Sequence, residues 1–295
     1  MSEELRFDAL PDLKRLYVKA ALRRRKAPTP SVKPPELTAR ADDVSVDAET
    51  LERYRRIARI VDDGLLPPTY PQVLATPLHA SIIAHRDFPL PAMGLVHLEN
   101  RIEQVRPIED GERFDLHCSI SGWEWDERLG VRCAISTELV AGGDVVWRSE
   151  LWALSRGDKS ELVKRQKKHR EPPPPGEPAG AVISVVEEAP ADLGRRYSAI
   201  CKDYNPIHLH PLTAKPFGFR KPIIHGMWTL ARCWAAMSDH APTEDLELSV
   251  RFKQPLYLPS TFRIAAFASD DGLDYECRSL SGDRLYLEGR AGANR

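Results

Sequence analysis

The sequence predicts an α+β protein built from two related halves. Three observations point there: a charged, proline-rich stretch divides the chain, the flanking halves share a faint repeat, and apolar residues alternate at strand period in both.

Residues 1–42 come first and are basic, as in RRRKAPTPSVKPPELTAR. Their pattern predicts a short amphipathic helix over about Leu10–Arg24 and then an extended tail. We read the segment as a solvated arm packed on its own domain, in preference to a membrane or partner contact through Arg23, Arg24 and Arg25. A first folded half follows at 43–158, with strand-like alternation near 131–139 and 145–154. Residues 159–180, KSELVKRQKKHREPPPPGEPAG, have the composition of a semi-rigid extended linker. The second half is 181–295. There Leu246, Leu248, Val250 and Phe252 alternate with Glu247, Ser249, Arg251 and Lys253, and similar alternation recurs near 262–268 and 283–289.

Aligning Pro107 with Pro255 pairs Ile102 with Val250, Ile108 with Leu256 and Phe114 with Phe262. Upstream, Tyr54-x-x-Ile57 resembles Tyr197-x-x-Ile200. Each half then reads helix, loop, apolar helix and several strands, as expected of duplicated domains packed as a pseudo-dimer.

Composition narrows the function. The 42 Lys+Arg balance 43 Asp+Glu, for a net charge of −1, so the basic excess of a nucleic-acid binder is absent. No apolar run approaches the roughly 20 residues of a membrane-spanning helix. The N-terminus lacks the uninterrupted apolar core of a secretory signal. Five cysteines, Cys118, Cys133, Cys201, Cys233 and Cys277, form no CxxC and are odd in number, which argues against a disulfide framework or structural zinc. A cytoplasmic protein is the expectation.

The chemistry concentrates in residues 197–237, YSAICKDYNPIHLHPLTAKPFGFRKPIIHGMWTLARCWAAM. Asp203-Tyr204-Asn205-Pro206 is turn chemistry, and the turn can bring Asp203 and His208 toward one point. Pro222-Ile223-Ile224-His225-Gly226-Met227 opens an apolar helix that must be buried. A carboxylate and an imidazole converging near a helix N-terminus suit proton transfer, and the free N–H groups there can hold a developing oxyanion. Gly226, without a Cβ, lets a carbonyl approach its N–H. Asp203, His208, His210 and His225 also carry metal-ligand chemistry, but Pro206 and Pro211 bracket the His-x-His pair as a loop, and no metal site is expected.

These residues resemble the MaoC-like (R)-specific enoyl-CoA hydratases, whose motif is Tyr-Ser/Ala-x-x-Ser/Thr-x-Asp-x-Asn-Pro-x-His followed by Ile-x-His-Gly-Met. The match runs through Tyr197, Ser198, Asp203, Asn205, Pro206, His208, Ile223, His225, Gly226 and Met227, within a resemblance covering about 185–265. Cys201 replaces the usual Ser or Thr, and Lys202 stands where Gly is common. The resemblance implies a double hotdog, in which each half is a curved antiparallel sheet around a long helix. It implies reversible hydration of trans-2-enoyl thioesters to (3R)-3-hydroxyacyl thioesters. Asp203 and His208 would carry the acid–base work, with Gly226 N–H as the oxyanion donor. Asn205, His225 and Met227 would orient the site or substrate. No cofactor is implied, and the substrate would be carried on CoA or an acyl-carrier protein. Lys215, Arg220, Lys221, Arg251 and Lys253 are candidates for carrier phosphates by nearness in sequence, Arg220, Lys221 and Lys253 foremost.

The first half lacks Asp-x-Asn-Pro-x-His and is expected to be a non-catalytic hotdog, its loop lost to make room for an acyl chain. A monomer or homodimer is expected. A hotdog thioesterase, or a non-catalytic acyl-thioester-binding subunit, is the alternative.

Overall fold

A computed structural model describes residues 3–13, 16, 25–92, 94–163 and 179–294. Most of the expected helix over Leu10–Arg24 and most of the 159–180 linker therefore lie outside the described residues. The chain forms two compact units that are not contiguous in sequence: Met1–Val46, Pro71–Asn100 and Gly111–His169 in one, and Asp47–Tyr70, Arg101–Asp110 and Arg170–Arg295 in the other. Residues 47–70 and 101–110 thus pack with the second half, a crossing that linear boundaries do not convey.

The first unit holds strands β1 (Glu3–Phe7), β2 (Leu37–Val44), β4 (Phe114–Asp126), β5 (Gly130–Ala141) and β6 (Asp144–Arg156), adjacent in that order. Among the described residues of this unit, β1 and β2 pair in parallel and the other pairings are antiparallel. The tail of the arm is accordingly a sheet strand, with Leu37, Ala39 and Ala41 buried on one face and Ala39 opposite Cys118. Most of helix α2 (Tyr70–Ile83) belongs to this unit and is tied to the sheet by polar groups. His79 Nε2 lies 2.7 Å from Thr137 Oγ1, and Ser149 Oγ donates to Gln72 Oε1 at 2.8 Å. Burial lowers the His79 pKa to about 4.

The boundary between the units falls inside β3 (Val96–Gln104). In the second unit β8 (Leu246–Phe252), β11 (Leu285–Ala293), β10 (Gly272–Ser279), β9 (Ser260–Ser269) and β7 (Ile183–Ala189) are adjacent in that order and all antiparallel. Three helices join them: α1 (Ala48–Ala58), α3 (Leu193–Cys201) and, packed against β7, β9 and β10, α5 (Gly226–Met237). The short α4 (Pro211–Ala214) lies between α3 and α5.

Helix α5 is apolar except for Thr229 and Arg232, both buried. The Arg232 guanidinium bonds Glu187 of β7 and donates to the Ala58 carbonyl at the end of α1. Trp228 Nε1 donates to the Ile57 carbonyl at 3.0 Å. The last carbonyls of a helix have no intrahelical partner, and these two donors satisfy them.

Backbone bonds make the repeat explicit. Helices α1 and α3 both end on a left-handed residue, Arg59 and Lys202. Leu66 N donates to Ile108 O as Ile224 N does to Leu256 O. Asp110 N donates to Gly64 O as Leu258 N does to Pro222 O, and Tyr70 N to Pro67 O as Trp228 N does to His225 O. Pro67 and Pro68 therefore stand where the second repeat has His225 and Gly226. Arg59 and Leu65 are six positions apart, whereas Lys202 and Ile223 are twenty-one apart. The added chain carries the Asp203–His208 turn.

Candidate active site

The site grows from the end of α3. Lys202 adopts φ 59°, which turns the chain out of the helix. Asp203 Oδ1 then accepts from Asn205 N at 3.0 Å, and Asn205 Oδ1 accepts from Ile207 N at 3.4 Å. These two bonds shape the turn, and Pro206 starts a single 3₁₀ turn that ends at His208. Gly194 of α3 leaves room for the His208 carbonyl, which a Cβ there would meet at 2.1 Å.

The turn directs three polar groups toward one another. Asp203 Oδ2 lies 3.9 Å from His208 Nε2 and 3.7 Å from His225 Nε2. A carbonyl can only accept, so neighbouring carbonyls fix both tautomers. His208 donates Nδ1–H to Ile223 O at 2.8 Å, leaving the Nε2 lone pair toward Asp203. His225 donates Nε2–H to Asp203 O at 3.1 Å. The two rings stack, with centroids 3.6 Å apart and planes at 24°. The Tyr197 ring lies 5.0 Å from His225.

Burial lowers the His208 pKa, against the opposing pull of Asp203 and the Ile223 carbonyl. His225 is lowered to about 3, by burial first and by His208 second. Both imidazoles are thus neutral near pH 7. Tyr197 Oη, Ser198 Oγ and His225 Nδ1 are buried without a hydrogen-bond partner among the described residues. Cys201, at the position where the motif departs, is a buried thiol pushed well above its ordinary pKa by burial and then by Asp203.

Asp203, His208 and His225 are close enough to be tested as metal ligands. Metal ligation uses the in-plane lone pair of each imidazole. In two stacked, nearly parallel rings those lone pairs run side by side and do not meet at one ion. Ring rotation would have to come first, and His225 Nε2 already spends its proton on Asp203 O. The donor set therefore does not fit a metal as it stands.

His225 is the N-cap of α5 but makes no capping bond through its side chain. The N–H groups of Gly226 and Met227 begin the helix, where no intrahelical acceptor exists. A Cβ on Gly226 would meet the Phe252 ring at 2.7 Å, so packing as well as access calls for glycine there. Met227 is half-buried.

The remaining candidates separate. Arg220 is exposed, with its guanidinium 5.2 Å from the centre of the Tyr257 ring, and Lys221 is exposed nearby in sequence. An isolated bridge between Ile223 and Tyr257 ties this segment to the chain beyond β8. Lys253 is paired with Glu288 at 2.7 Å. Residues outside the motif also build the site: Gly194 makes room for the His208 carbonyl and Phe252 backs Gly226, while Ile223, a motif residue, holds His208 through its main-chain carbonyl. Only the repeat, extended upstream through the helix ends at Arg59 and Lys202, carried a signal for Pro67 and Pro68.

Comparison with known proteins gives a concordant picture. Residues 173–274 match the family described as MaoC like domain. The chain is 31% identical over 247 residues to 3-hydroxyacyl-thioester dehydratase X of Mycobacterium tuberculosis, covering 84% of this chain and 86% of that protein. A crystal structure of HtdX from the same organism aligns with a TM-score of 0.75 at 30% identity, over 86% of this chain and 99% of that one. Enoyl-CoA hydratase ChsH3, also of M. tuberculosis, is 25% identical over 190 residues, 63% of this chain and 64% of that protein. The expected double-hotdog architecture is borne out by these structural neighbours.

Proposed function

We propose a hydratase function for this chain, which belongs to the MaoC-like dehydratase family: reversible hydration of trans-2-enoyl thioesters to (3R)-3-hydroxyacyl thioesters. A hydratase or dehydratase role in lipid metabolism agrees with the names of its relatives. The direction of addition and the residue roles are our reading of the site.

The observation that carries it is the gap between Asp203 Oδ2 and His208 Nε2. At 3.9 Å the two acceptors do not bond each other, yet one water can bond both at about 2.8 Å. That water would add its oxygen to C3 of the enoyl thioester and surrender a proton to the pair, which passes the same proton to C2 and returns to its starting state. Neutral His208, with Nδ1–H held by Ile223 O, offers Nε2 as the base. The thioester oxygen becomes enolate-like during the step, and the N–H of Gly226 at the start of α5 would hold it. Dehydration is the same path reversed. Asn205 serves by shaping the turn.

The first repeat is read as non-catalytic. It lacks the Asp203–His208 turn, and Pro68 in place of Gly226 has no N–H to offer an oxyanion. Arg220 and Lys221 are the favoured contacts for carrier phosphates, since Lys253 is engaged by Glu288.

Incubation with crotonyl-CoA and a ten-carbon 2-enoyl-CoA tests the reading. Loss of enoyl absorbance without thiol release, giving the 3R product, supports it. Thiol release would identify a thioesterase, and neither change a binding subunit.

A further inference from the structure

Resting on the hydratase reading, we propose that His225 is a positioning residue: it holds Asp203 and His208 in working register by bonding the main chain of one and stacking on the ring of the other.

Among the described contacts, this side chain touches both members of the pair. Its Nε2 donates to Asp203 O at 3.1 Å, and its ring centroid is 3.6 Å from that of His208. The first contact fixes the main chain from which the carboxylate projects. The second limits rotation of the imidazole whose Nε2 must face it. His225 is itself held from behind by Tyr197 and is the residue from which α5 springs. One group therefore sets acid, base and oxyanion helix against one another.

Two plainer roles do not account for it. His225 does not cap α5, because its side chain makes no capping bond. Nor does the helix start require it: in the first repeat Pro67 takes this position, and Tyr70 N still donates to Pro67 O at 2.8 Å, as Trp228 N does to His225 O at 3.1 Å. The repeat that has Pro67 is the one without an Asp–His turn. His225 also stays neutral across the working range, so it does not compete for the proton His208 takes.

Three variants separate the contacts. His225→Gln keeps an N–H donor without the ring, His225→Phe keeps a ring without the donor, and His225→Leu has neither. With crotonyl-CoA, kcat should fall about tenfold in each of the first two and about a hundredfold in the third, the scale of loss from a small misplacement of reacting groups. KM should stay within about threefold, because positioning acts after binding. A kcat for His225→Leu within about twofold of wild type, or a loss confined to KM, overturns the proposal. Should the variants fail to fold, ¹⁵N NMR of the wild-type imidazoles decides. His225 protonated at Nε2 and His208 at Nδ1 is the result expected, and His225 protonated at Nδ1 overturns it. A wild-type protein that hydrates nothing would defeat the hydratase reading instead, and the tautomer measurement would still judge His225.

Discussion

The carbonyl oxygen of His208 occupies the space beside Gly194 that a Cβ would need, at 2.1 Å. The obstacle is backbone, so neither side can yield by turning a side chain. Gly194→Ala should push the His208 turn away from α3, destabilise the protein by about 1–3 kcal/mol and lower kcat about a hundredfold. Urea unfolding and crotonyl-CoA kinetics read the two effects. Wild-type values in both would refute the packing argument.

Gly226 offers the contrasting case, since its obstacle is the Phe252 ring. Gly226→Ala should lower both stability and turnover. Adding Phe252→Leu should restore most of the stability because the smaller side chain makes room. A double variant no more stable than Gly226→Ala alone would show that access, and not the ring, dictates glycine.

Acid should unfold this protein through its buried histidines. His79, His208 and His225 all have pKa values lowered by burial, to about 4 for His79 and about 3 for His225. The unfolded chain takes up these protons near pH 6.5 and the folded chain does not. Their contribution is thus complete above pH 6.5 and is lost as pH falls from there toward each folded-state pKa, on the order of 1.4 kcal/mol per pH unit each for His79 and His225. Unfolding midpoints at pH 7.5 and 5.0 should differ plainly, and His79→Gln should flatten the slope. A midpoint unchanged between those values would contradict the assignment.

Arg232 of α5 both bonds the Ala58 carbonyl of α1 and pairs with Glu187 of β7, at side-chain exposures of 6% and 2%. Arg59 reaches the same carboxylate at 2.9 Å from a largely exposed position. Arg232→Met leaves the buried Glu187 to the largely exposed Arg59 and uncovers the Ala58 carbonyl, and should cost about 3–5 kcal/mol. Arg59→Met should cost far less, about 1 kcal/mol or below. Equal costs would mean that Arg232 is not the member that matters.

Much of this was legible in the sequence, for identifiable reasons. Strand period marked β5, β6, β8 and β9 because one face of each is buried, as in Leu246, Leu248 and Val250. The Asp203–His208 turn was legible because Asp203, Asn205 and Pro206 impose it locally. The partnership of α1 with α5 was not, since it depends on Trp228 and Arg232 meeting carbonyls some 170 residues away. Main-chain acceptors leave no mark in a sequence, so neither the Ile223 carbonyl behind His208 nor the Asp203 carbonyl over His225 could be read there. Gly194 looked like any helical glycine until the His208 carbonyl gave it a neighbour.

The central claim is that Asp203 and His208 together activate one water. Hydration of crotonyl-CoA by Asp203→Asn, His208→Ala and the double variant tests it most directly. Each single change should lower kcat by about 10²–10⁴-fold, and the double variant should lose little more, because the two act as a unit. Full rate in either single variant, or losses that simply multiply in the double, would contradict the account.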